Sequence, residues 1–161
     1  MHRIGHNLGL GHAFLSGGGG DYSSYMSATG WKPNLEGPAK CFNAASNRQM
    51  QWFDDRSKEI DMSSQGARRV KLTAFSEAEG NTGPILIKVG TTYAIQYNFA
   101  SNFNSGTEML RNEVTIAQII EGGGKTEVRY SKGKLYRTIQ TFSLLTINFI
   151  FDAGPKRGID A

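Results

Sequence analysis

Three histidines, all that the 161-residue chain contains, fall within one short frame at its start: His2, His6 and His12. Residues four apart on a helix stand one turn above each other on the same face, so His2 and His6 can offer imidazole nitrogens to a single ion at about 2 Å. Gly9 lies between the second and third histidines. A glycine there lets the chain leave the helix through a backbone conformation that side-chained residues avoid, which swings His12 back as a third ligand. Three neutral imidazoles leave one tetrahedral zinc position open, the coordination of a catalytic rather than a structural centre. Ile4, Leu8 and Leu10 are the apolar residues that a helix resting on a core would carry.

The string His2-Arg3-Ile4-Gly5-His6-Asn7-Leu8-Gly9-Leu10-Gly11-His12 resembles the metzincin zinc signature HExxHxxGxxH at every fixed position but one. Arg3 stands where the signature has glutamate. In peptidases of this kind that glutamate takes the proton from the attacking water and passes it to the leaving amine. Arginine has no acceptor and stays protonated, so Arg3 is not competent for that role. Its charge also opposes the metal: a single positive charge about 6 Å from a divalent ion, at an effective dielectric near 20, is repelled by at most about 5 kcal/mol. Asp21 is the nearest carboxylate in sequence that could substitute as a base.

Residues 16–24 form a glycine- and serine-rich loop by composition, and Tyr25-Met26-Ser27 follows. Next comes Gly37-Pro38-Ala39-Lys40-Cys41-Phe42-Asn43-Ala44, leading towards Trp52. Together with the histidine frame, these segments resemble the gametolysin family of metzincin peptidases. The resemblance implies zinc as cofactor, His2, His6 and His12 as its ligands, and Met26 as the methionine of the tight turn beneath the metal. It further implies a secreted or cell-wall metalloendopeptidase acting on protein or glycoprotein substrates of the extracellular matrix or cell wall. Tyr22 and Tyr25 precede Met26, whereas the tyrosine of some metzincins follows it, so neither carries a catalytic role. A metzincin builds the upper half of its cleft ahead of the zinc helix. With the motif beginning at residue 2, the resemblance therefore predicts an N-terminally truncated member. The alternative is a non-catalytic zinc-binding pseudopeptidase, or a protein whose second half binds matrix or carbohydrate.

The single cysteine, Cys41, cannot form an internal disulfide. By the resemblance its family equivalent could pair with an upstream cysteine, and a buried free thiol is the other reading. The net charge of +4 comes from scattered residues, with short clusters only at Arg68-Arg69 and between Lys132 and Arg137. Without a basic stripe interleaved with aromatics, a nucleic-acid partner is not expected. No run approaches the roughly 18 to 20 apolar residues of a membrane span, and the start of the chain lacks the pattern of a signal peptide.

From about residue 70 the period changes. Tyr93, Ile95, Tyr97 and Phe99 alternate with polar residues, which predicts a strand with one buried face. Similar runs cover 85–89, 114–116, 128–130 and 145–151, separated by turn signals such as Asn81-Thr82-Gly83-Pro84 and Gly122-Gly123-Gly124. The glycine run reads as a hairpin loop rather than a phosphate cradle, because Lys125-Thr126 opens a strand. The aromatic stripe at 93, 97 and 99 reads as core. The fold expected is α+β: residues 1-68 as the C-terminal part of a metzincin catalytic domain, with zinc helix, Met-turn and short helix, and residues 69-161 as an antiparallel β-sandwich.

Overall fold

The computed structural model describes residues 1–28, 40–61, 68–120, 124–133 and 147–150. These form two short helices and eight strands, in the order α1 (His2–Asn7), β1 (Ala13–Leu15), α2 (Ala44–Gln49), β2 (Ser57–Ile60), β3 (Arg68–Lys71), β4 (Leu86–Val89), β5 (Tyr93–Asn98), β6 (Glu113–Ile119), β7 (Thr126–Gly133) and β8 (Ile147–Ile150). The class is α+β. Six strands make one sheet in the order β1-β7-β6-β5-β4-β2, and β3 pairs with β8 in a second. No helix among the described residues is long and apolar enough to cross a membrane.

The centre of the large sheet is the antiparallel ladder that the alternating runs predict, with β4, β5, β6 and β7 paired in succession. Its edges depart from the expected sandwich. At one edge β1 joins β7 in parallel, and at the other β2 joins β4 in parallel. Both edge strands lie before residue 68, so a single sheet takes strands from either side of that position. They were silent in the sequence because three or four residues show no usable period, and Ser57-Lys58-Glu59 is polar, as suits an edge. The pairing of β3 with β8 is parallel as well.

The β5 strand is covered on both faces, where the alternation had indicated one. Ile87, Val89, Ile95, Val114 and Ile116 turn to the same side and pack with Ile60, Val70 and Leu72. Tyr93 and Tyr97 lie against this cluster, and the Tyr97 ring stacks on Phe99 with centroids 5.6 Å apart. The opposite face carries Leu86, Ala94, Ala117 and Val128, which pack with Ala44 and Ala45 of α2. Alanines at the contact let the helix approach closely. The polar members of that face are paired instead of solvated: Asn47 on α2 donates to Gln96 Oε1 at 2.8 Å, and Thr115 Oγ1 donates to the Gln96 carbonyl. A buried amide is tolerable when its hydrogen bonds are made, so polarity at alternate positions did not signal exposure.

Helix α2 starts where Asn43 caps it, its Oδ1 accepting from Ser46 N at 2.9 Å. The same side chain donates to Asp21 Oδ2 at 3.1 Å and to Thr126 Oγ1 at 2.9 Å. One asparagine thereby ties the segment after β1, the start of α2 and the start of β7.

Candidate metal centre

Helix α1 is one and a half turns long and too short to persist alone. What holds it is the layer beneath. Gly5 is buried, and a methyl group at that position would run into the sulfur of Met26. Met26 itself is fully buried and packs with Leu10, Ala13 and Phe42. The backbone around Met26 is fixed from two sides, since Met26 N donates to Ser24 Oγ and Ala13 N, one residue beyond His12, donates to the Met26 carbonyl.

The apolar face expected of α1 divides. Leu10 is buried, but Ile4 and Leu8 are about half exposed, at 51% and 53%. The helix rests on its glycine instead of on its large side chains, because Met26 occupies the space a side chain would need. After Leu8 the chain turns at Gly9 with φ +82°, the left-handed conformation anticipated for the residue that releases His12.

The three imidazoles converge. Ring centroids are 4.7 Å apart for His2 and His6, 4.9 Å for His6 and His12, and 5.4 Å for His2 and His12. One nitrogen from each lies within 4.8 Å of the other two. His2 Nδ1 donates to the Tyr25 carbonyl at 2.6 Å, and His6 Nδ1 donates to the Leu10 carbonyl at 2.8 Å. Carbonyl oxygens can only accept, so each Nδ1 carries the hydrogen and each neutral ring presents a lone pair at Nε2. Those two Nε2 atoms face one another at 3.0 Å. Two acceptors at that distance repel unless a proton or a metal ion is shared between them. Tetrahedral zinc with bonds of about 2.05 Å would place its nitrogens about 3.3 Å apart, close to the observed spacing. Backbone carbonyls that fix the tautomer are also the usual outer partners of metal-binding histidines. The donor set therefore fits zinc.

His12 is held below the ordinary imidazole value, first by burial and then by its coupling to the neighbouring His6, His2 and Lys125. A lowered value keeps its ring neutral and ready to ligate over a wider pH range. The backbone of His12 is clamped by β7: Thr126 N donates to the His12 carbonyl at 3.1 Å, and Gly11 N donates to the Gly124 carbonyl at 2.9 Å.

Arg3 is exposed on α1 and makes no hydrogen bond or ion pair among the described residues. Asp21 is held by its neighbours. It is fully buried, and its carboxylate accepts from Ser23 N and Oγ and from Asn43 Nδ2. Burial raises its pKa against the opposing pull of those hydrogen bonds and of Lys40. Its role is to anchor the loop that carries Met26. Tyr25 contributes through its backbone carbonyl to His2, and its ring lies 6.0 Å from that of Phe42. Cys41 is a free thiol, pushed up to about 12 by burial.

Sequence reasoning had not identified Gly5, Asn43, Lys125 or Thr126 as parts of this centre. The histidine spacing marks the ligands because local helix geometry sets it, whereas these residues act through contacts made across long stretches of chain. Gly9, Gly11 and Gly124 were the one available signal, since glycine backbones can approach closely. No protein-family model, curated protein or solved structure matches the chain.

Proposed function

We propose that the chain is a gametolysin-like member of the metzincin zinc metallopeptidases, with zinc held by His2, His6 and His12 above Met26. The observation that carries this reading is the pair of lone-pair nitrogens at 3.0 Å, each aimed by a hydrogen bond from its own ring to a backbone carbonyl. A buried methionine directly beneath the helix is consistent with the tight turn of that family. In this reading residues 1-68 are the C-terminal part of a catalytic domain. The substrates are proteins or glycoproteins of an extracellular matrix or cell wall, which places the protein outside the cell. Zinc, when bound, polarises a carbonyl or activates water. This chain's own contribution is to hold three neutral imidazoles in place.

A second reading is favoured by Arg3. With a fixed cation at the position of the base, the chain would keep the metal without the hydrolysis, as a zinc-binding pseudopeptidase.

Zinc binding is tested by thermal unfolding. At a free zinc concentration about a hundred times Kd, linkage adds about 2.7 kcal/mol, a rise of roughly 5 to 10 °C in Tm for a chain of this size. The rise is expected to vanish in His6→Ala. An equal rise in both proteins would place zinc elsewhere and remove the basis for the metallopeptidase reading.

A further inference from the structure

We infer that the metal-loaded centre is a carboxylate receptor, in which Arg3 and Lys125 hold an anion against the three-histidine site. This rests on the metal reading above. Three neutral imidazoles leave the charge of a bound divalent ion uncompensated. Among the described residues the side chains placed to share a metal ion are His2, His6 and His12, with no carboxylate in the group. Asp21, the nearest acid in sequence, is buried and committed to Ser23 and Asn43.

Lys125 is held beside the site by its neighbours in sequence. Gly124 accepts from Gly11 N, and Thr126 donates to the carbonyl of His12, so residue 125 lies between two backbone clamps on the histidine loop. Its side chain is exposed, as is that of Arg3, which has no partner among the described residues. Two exposed cations therefore border the site along the chain, Arg3 directly after His2 on α1 and Lys125 between the two clamped residues. A carboxylate suits this arrangement because one oxygen can face the metal while the planar guanidinium fork engages the other. An arginine that spoils the site for proton abstraction thus equips it to bind a carboxylate, supplied either by a small acid or by the C-terminus of a peptide.

Cobalt(II) substituted for zinc makes the site visible by its d–d absorption. The loaded chain is titrated with acetate, and then with an acetylated dipeptide carrying either a free or an amidated C-terminus. Saturable spectral change with acetate is expected, weakened about tenfold in Arg3→Gln and about threefold in Lys125→Gln. Stronger binding of the free-acid dipeptide than of acetate would assign the ligand as a peptide C-terminus, and the reverse would assign it as a small acid. Cobalt bound at one equivalent but with acetate affinity unchanged in both variants would overturn the inference and leave the metal reading standing. Equal binding of the amidated dipeptide would overturn it as well. If no cobalt signal is lost in His6→Ala, the metal reading and the inference fail together.

Discussion

Replacing Arg3 by glutamate is expected to raise peptide-bond hydrolysis by the zinc-loaded chain by about 10²- to 10⁴-fold, the range that a positioned general base contributes. The position follows His2 directly on α1 and is exposed, so the substitution disturbs no packing. Arg3→Gln separates the two effects of the arginine. Both variants lose the repulsion between guanidinium and metal, and both are expected to bind zinc about tenfold more tightly, an effect that salt diminishes. Only the glutamate adds an acceptor for a proton. The measurement is cleavage of a quenched fluorescent peptide at matched zinc occupancy. Hydrolysis in Arg3→Glu no faster than in Arg3→Gln would show that residue 3 is not a vacant base position.

The second large effect is on folding. Gly124 has φ +65°, and a Cβ there would overlap the carbonyl oxygen of Gly9 and come within 3.0 Å of Gly11 N. Both atoms are backbone and cannot swing aside. Gly124→Ala is expected to destabilise the chain by about 3 kcal/mol, combining left-handed strain with overpacking. That corresponds to roughly 6 to 12 °C in Tm. Gly80 is the control, since its φ is +74° but nothing lies within 4 Å of its would-be Cβ. Gly80→Ala should cost about 1 kcal/mol, the strain alone. Melting curves followed by circular dichroism decide between them. A Gly124→Ala variant no worse than Gly80→Ala would mean that β7 does not press on the histidine loop. Because the same contact clamps His12, Gly124→Ala should also weaken zinc binding, whereas Gly80→Ala should not.

How much of this was legible in the sequence depended on the range of each interaction. The approach of His2 to His6 and the left-handed turn at Gly9 follow from local geometry, and both could be read from spacing. So could the four antiparallel strands at the centre of the sheet, because each carries an apolar or alternating run set off by turn signals. The edge strands β1 and β2 could not, being short and, in β2, mostly polar. Ile4 and Leu8 misled, since hydrophobicity alone does not reveal that a glycine is the residue seated on the core. Gln96 and Asn98 misled in the opposite direction. Their burial depends on partners such as Asn47 and Thr107, far enough along the chain that no pattern connects them. Asp21 is similar: a carboxylate near a metal motif invites a chemical role, yet Asn43 and Ser23 turn it into a structural anchor.

The most direct measurement is zinc K-edge X-ray absorption on the metal-exchanged chain loaded to one equivalent. A first shell containing three imidazole nitrogens at about 2.0 to 2.1 Å, with no sulfur, is expected if His2, His6 and His12 hold the ion. The loss of that shell in His6→Ala would tie it to this site. A sulfur scatterer near 2.3 Å, which only Cys41 or a methionine could supply, would contradict the three-histidine centre. So would a shell of oxygens alone.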